Sequence, residues 1–350
     1  MCESARHDSL TTSSLITSTF DFEVVLLDIQ GRELKRDRCQ AASFTESLGN
    51  GTTLEMVQIP AGTAQIGSLE TEAGRSDSEN ELHTVTTPSF FMSRYPITQA
   101  QWKAVALMPK VSCPLDLEPS YFKGLNRPVE QVSWADANEF CTRLSLATKR
   151  AYRIPTEVEW EYACRAGTTT PFHFGETLTT DLANYCGEAH YSKRRTRQGH
   201  WYNGSYGKGS TGVTRNETTV VGYFQVANGF GLYDMHGNVW EWCSIYPGKI
   251  QLSSCKPDCL VASSVEDPSL QPLRGGSWRS SPAACRAASR WLKLAGSNEA
   301  FIGFRLVYSA IDDPADSEKL LRGNPSQSIL SNTEVKGNLT VGNVTQIIIN

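Results

Sequence analysis

Leu273–Leu306 reads LRGGSWRSSPAACRAASRWLKLAGSNEAFIGFRL, a stretch in which two rigid signatures bracket a run with no folding logic of its own. Arg274, Gly275, Gly276, Ser277 and Trp278 stand at one end, and Ile302, Gly303, Phe304 and Arg305 at the other. Between them Arg279, Ser280, Ser281, Ala283 and Ala284, and then Trp291 to Phe301, follow neither the strand period nor the helix period, so no buried face runs through them. The pattern is that of a scaffold holding out a patch.

Outward from there, recognisable signatures continue almost unbroken from about residue 54 to 308 of the 350, which predicts one large domain with appendages. The domain is placed at 53–310, with 273–306 as its display segment. Residues 1–20 read as a disordered Ser/Thr-rich start, 21–52 as a β extension, 311–328 as an acidic linker and 329–350 as a β tail. With 39% hydrophobic residues, 20% charged residues and a net charge of -4, the composition is that of a soluble globular protein, and nucleic-acid binding through bulk positive charge is not expected. The longest apolar runs, FEVVLLDI and TQIIIN, are too short to span a bilayer, and no secretory signal pattern opens the chain; a cytoplasmic protein without membrane contact is expected. Most of the ten cysteines in such a chain should be reduced, with Cys141, Cys164 and Cys243 as core thiols. Cys255 and Cys259 lack a partner CxxC or HxxxH, which disfavours a zinc site.

FDFEVVLLDIQGREL alternates around a Gln-Gly turn and reads as one or two strands, and TLEMVQIPAGTAQIG as a strand pair bent at Pro-Ala-Gly. Ser68 to Pro88 is polar and acidic and reads as a loop, after which FFMSRYPIT is extended. Thr98 with Gln101 makes a capping box for a helix through Trp102 and Val105. The clearest helix starts at Ser133, where Trp134, Ala137, Phe140, Cys141 and Leu144 form one stripe; a second such helix begins at Thr156, with Glu157 and Glu159 at the positive end of its dipole. From Ala166 to Phe230 a Gly-, Thr- and Asn-rich text with little periodicity implies long ordered loops.

MVQIPAG with IGS, SRYPITQAQW, RPVEQVSWADANEFC, RIPTEVEWEYACRAG, GLYDMHGNVWEW, LRGGSW and IGFRL follow in the order seen in the formylglycine-generating enzyme, or sulfatase-modifying-factor, family, which this chain resembles over roughly 250 residues. The resemblance implies an α+β, C-type-lectin-like fold with two helices, small twisted antiparallel sheets and extensive ordered loops. In the family's oxidases two cysteines hold copper(I), because soft thiolates select that ion. The first lies two residues past the aromatic of GGS-aromatic and the second five further on, which gives Ser280 and Cys285 here; counting back from GFR gives Ser277 and Pro282. Neither register restores the pair, so no copper and no formylglycine-generating activity are expected, and Cys285 reads as a packed thiol. The six histidines do not cluster as in the iron-binding sulfoxide-synthase relatives.

The resemblance also implies calcium. Gly237 and Val239 would offer carbonyls and Glu241 its carboxylate from GNVWEW, and Asn184 matches a residue of another family site whose acidic partner has no clear match here. The competing reading is that Trp240 and Trp242 are core and Glu241 pairs with an arginine.

Relatives of the family include the variable proteins of diversity-generating retroelements, whose diversified segment resembles GGSW, a polar triplet, Pro, two residues, CRxAxR, a variable run and IGFR, as here. The resemblance implies a non-catalytic protein displaying a ligand-binding surface of Arg279, Ser280, Ser281, Ala283, Ala284, Trp291, Leu292, Lys293, Leu294, Ser297, Asn298, Glu299 and Phe301 to a protein or other macromolecule. The frame would carry the stability: turn glycines, Trp278 and Phe304 in the core, and Arg286, Arg290 and Arg305 in buried hydrogen bonds. The alternatives are an ordinary family member whose segment drifted, an oxidoreductase acting on protein cysteine, and a constant sensor or assembly module whose tail docks onto its own domain, an effector or a second copy.

Overall fold

The computed structural model describes residues 17–76, 79, 81–192, 200–245 and 269–309. The expected disorder before residue 17, the linker and tail beyond 310, and Cys255 and Cys259 lie outside the described residues.

Alternation decides the first strands. β1 (Ser18–Leu27) and β2 (Glu33–Gly49) flank the Gln-Gly turn and pair antiparallel, so residues 18–20 are in a strand. β3 (Thr52–Ile59) pairs with β2, and β4 (Gly62–Ile66) turns away at Pro60 to pair with β5 (His83–Thr87), a strand inside the stretch expected to be loop. β6 (Phe90–Ser93) returns beside β3.

Three helices follow: α1 (Gln99–Ala106), α2 (Trp134–Thr148) and α3 (Glu157–Arg165). Each opens on a reciprocal capping box, Thr98 with Gln101, Ser133 with Asp136 and Thr156 with Glu159, which satisfies backbone donors that the first turn leaves unpaired. α2 buries Ala137, Phe140, Cys141 and Leu144, as its spacing predicts. Trp102 of α1 stacks on Phe140 at 5.6 Å, and Phe304 meets both rings edge-on. Truncating Phe304 to Ala in this core would cost about 3–5 kcal/mol.

The remaining strands are short: β7 (Tyr152–Arg153), β8 (His190–Ser192), β9 (His200–Tyr202), β10 (Trp240–Trp242), β11 (Leu270–Arg274), β12 (Arg290–Leu294), β13 (Ile302–Gly303) and β14 (Val307–Tyr308). A six-stranded sheet runs β1-β2-β3-β6-β14-β7, a four-stranded sheet runs β12-β11-β10-β13, and β4-β5 and β8-β9 form two-stranded ladders.

This arrangement corrects the expected C-type-lectin-like fold with two helices and small antiparallel sheets. Among the described residues there are three α-helices, and the sheets stay open rather than closing into a barrel. β1 and β7 end the large sheet as separate edges, and β7, at two residues, offers too short a ladder to close it. In the smaller sheet β10 pairs with β13 in parallel, Trp240 opposite Ile302, which needs a long crossover and cannot arise from a meander of hairpins. Among the described residues no helix is long and apolar enough to cross a membrane.

Candidate functional site

The display segment is built on two glycines. Gly275 and Gly276 sit at φ +92° and +76°, a region that L side chains avoid. A Cβ on Gly275 would stand 2.9 Å from the Trp160 ring, and one on Gly276 would stand 2.5 Å from Cys285 Sγ. Gly237 N donates to Gly275 O at 2.7 Å and Trp278 N to Asn238 O at 3.0 Å, which locks this turn to the GNVWEW turn.

Buried ion pairs complete the frame. Arg286 reaches Glu79 with both amino groups, at 2.5 Å and 3.0 Å, Glu72 at 2.5 Å and the carbonyl of Gly74 at 2.7 Å. Arg274 binds Glu161 and the carbonyls of Ala288 and Ser289, and Arg290 holds Glu157 with two nitrogens. Arg305 meets Glu241 in a two-point pair at 2.6 Å and 2.8 Å, and Trp160 Nε1 adds a third donor to the same carboxylate at 2.6 Å. Removing one member of such a pair leaves a buried charge uncompensated, a loss of about 3–5 kcal/mol.

The expected ligand-binding residues divide into a displayed set and a packed set. Arg279 and Asn298 are exposed, Trp291 is 37% exposed and Leu294 56%. Strand alternation then separates neighbours: Trp291 and Lys293 share one face of β12, while Leu292 and Leu294 share the other with Arg290. On the first face Arg279 lies 4.8 Å from the Phe301 ring centre, Trp291 stacks on Phe301 at 6.2 Å and 11°, and Lys293 covers Trp291 at 4.8 Å while pairing with Glu299. Phe301 is buried beneath this row rather than displayed. Ser297 is half-buried, its N–H donating to Leu294 O at 2.9 Å.

The 280–284 stretch is packed. Ser280 Oγ accepts from Ser277 N at 3.0 Å and lies 3.0 Å from the Ser277 hydroxyl. Ser281 precedes the 3-10 turn Pro282–Cys285 and its carbonyl accepts from Ala284 N at 3.0 Å. Ala283 lies against Gly74 and the cluster containing Phe172 and Tyr185, and Ala284 lies against the main core. No periodicity announces these contacts, because their partners come from distant parts of the chain.

The paired position at Ser280 and Cys285 does not fit copper(I). Ser280 supplies a hard hydroxyl already bonded to Ser277, while Cys285 is fully buried, donates to Ser281 O at 3.6 Å and has its thiol pKa pushed well up by that burial. Another thiol lies beside this turn: Cys186, half-buried, donates its backbone N–H to Ser280 O at 2.9 Å. The calcium set fits unevenly. Glu241 has both oxygens engaged by Arg305 and Trp160, whereas Asn184 Oδ1 is buried with no hydrogen-bond partner among the described residues and is an oxygen of the kind calcium takes. Gly237 and Val239 are held in the turn between them, with Asn238 N donating to Asn184 O at 2.8 Å.

One cluster escaped the sequence. His173 and His236 stack at 4.7 Å in a small cavity that Asp234 also lines. His236 Nδ1 contacts Cys285 O at 2.7 Å and Nε2 accepts from His173 N at 3.1 Å, while both ring nitrogens of His173 are buried with no hydrogen-bond partner among the described residues. Burial drives the His236 pKa down to about 4, drives that of His173 well below its usual value, and lifts Asp234 to about 6.

Against known proteins, residues 41–310 match the family described as Sulfatase-modifying factor enzyme 1-like domain. The formylglycine-generating enzyme of Mycobacterium tuberculosis is 29% identical, over 72% of this chain and 97% of its own length. The protein named Inactive C-alpha-formylglycine-generating enzyme 2 of Bos taurus is 26% identical, over 77% of this chain and 93% of its own length. Variable protein 1 of Treponema denticola shares the fold with a TM-score of 0.55 at 23% identity, over 76% of this chain and 98% of that one.

Proposed function

The chain belongs to the sulfatase-modifying factor enzyme 1-like family, and from that premise we propose that it is a non-catalytic binding member, recognising a protein ligand through the face formed by Arg279, Trp291 and Lys293 around Phe301. Family and fold alone suit either a binding or an enzymatic role. The observation that carries the binding reading is the pair position, where a serine hydroxyl committed to Ser277 stands in place of a thiolate and the remaining thiol is sealed and protonated. The likeness in fold to a variable protein supports diversification of the displayed positions. The packed alanines and Phe301 would then be fixed, and Arg279, Trp291, Lys293 and Asn298 open to change.

The second reading is an oxidoreductase acting on protein cysteine. It is favoured by the identity to formylglycine-generating enzymes and by Cys186 beside Ser280. Incubating the full chain with copper(I), oxygen and a cysteine peptide separates the two: the binding reading expects no aldehyde, and aldehyde formation abolished by Cys285→Ser would establish the oxidase. The variable form is tested in the flanking DNA, where a near-copy of the segment differing at adenines is expected beside a reverse transcriptase. Without that near-copy the protein is a constant binder.

A further inference from the structure

Resting on the recognition face just proposed, we infer that its ligand is an extended peptide segment carrying a carboxylate two or three residues from an aliphatic or aromatic side chain. The argument starts from Arg279. Its guanidinium lies over Phe301 at 4.8 Å and near Trp278 at 5.9 Å, and Trp278 is itself braced edge-on by Phe122 at 5.4 Å. Rings beneath a guanidinium hold it without consuming its N–H donors. Among the described residues no carboxylate pairs with Arg279, whereas every other arginine in the segment 273–306 has a glutamate. An exposed guanidinium positioned by aromatic rings, with its donor edge unpaired among the described residues, matches one carboxylate in the two-point manner that arginine favours.

The other end of the row selects differently. Lys293 is neutralised by Glu299, so the part of Trp291 that reaches solvent presents apolar area rather than charge. Laid end to end, the 4.8 Å and 6.2 Å separations keep the Arg279 guanidinium and the Trp291 ring within about 11 Å of each other. An extended chain advances about 3.3 Å per residue, so an acidic and an apolar side chain two or three positions apart fall within that reach. A face with one cation lacking an acidic partner among the described residues, on a protein of net charge -4, suits a single carboxylate and does not suit a polyanion.

Selection of a random heptapeptide display library on the full chain tests this, with each enriched peptide then titrated by fluorescence anisotropy. The expected result is enrichment of Asp or Glu two or three positions from Leu, Phe, Trp or Tyr. Affinity should fall about tenfold or more in Arg279→Ala, and preference should shift to Lys or Arg peptides in Arg279→Glu. Arg279 is exposed, so these variants keep the fold, and circular dichroism and Tm serve as the check. Absence of any enrichment, acid-free winners, or equal binding by Arg279→Ala overturns the inference. If Trp291→Ala weakens binding while Arg279→Ala does not, the ligand class falls and the face survives; if neither matters, the face falls too.

Discussion

The frame and the face of the display segment are a few residues apart and obey different physics. Arg274, Arg286 and Arg305 are at most 2% exposed and each is locked to a glutamate, whereas Arg279 is exposed and has no acidic partner among the described residues. Trp160 and Trp242 are fully buried, while Trp291 stands 37% exposed on the edge of its sheet. The same residue types therefore do opposite jobs. These networks of buried charge specify one backbone, and that backbone leaves the displayed side chains with little influence on stability.

The sharpest way to break the contrast is Arg305→Met, which strands Glu241 in the core; it should cost about 3–5 kcal/mol in urea unfolding or prevent folding altogether. Acid is the next largest probe. The unfolded chain protonates its histidines near 6.5, but the native state keeps His236 neutral down to about 4, so stability falls as pH drops through that window, by on the order of 3 kcal/mol in full for His236. Asp234 acts oppositely: raised to about 6, it takes up its proton in the native state first and gains stability as pH falls from 6 toward 4. Unfolding free energies at pH 7 and 4.5 should show a net loss for the wild type and a steeper one for Asp234→Asn. Gly276→Ala forces a side chain into a left-handed turn against Cys285 and should lower stability by roughly 1–3 kcal/mol, read as a fall in Tm. Trp291→Ala, at the small end, should lower stability by about 1–2 kcal/mol through loss of its partly buried stack on Phe301, while removing ligand binding.

Much of the frame was legible because its signals are local. Thr98, Ser133 and Thr156 announced their helices through caps, and the stripe of Ala137, Phe140 and Leu144 announced which side of α2 is buried. The pairing of Glu241 with an arginine was one of two readings of GNVWEW, and the structure supplies Arg305 as the partner. What the sequence concealed is long-range. Lack of periodicity between Ser280 and Ala284 looked like display, yet the segment meets Gly74, the 172–185 loop and the main core, contacts that leave no trace in spacing. Phe301 looked displayed for the same reason. The His173–His236 stack joins residues far apart in the chain, and the parallel pairing of β10 with β13 leaves no hairpin signature.

Randomising codons tests the separation of frame from face most directly. Two libraries, one varied at Arg279, Trp291, Lys293 and Asn298 and the other at Arg274, Gly276, Arg286 and Arg305, would be sorted for resistance to proteolysis. Most members of the first should remain folded and few of the second. Equal losses in both would show that the face is part of the core, and the account of a stable scaffold presenting a free recognition surface would be wrong.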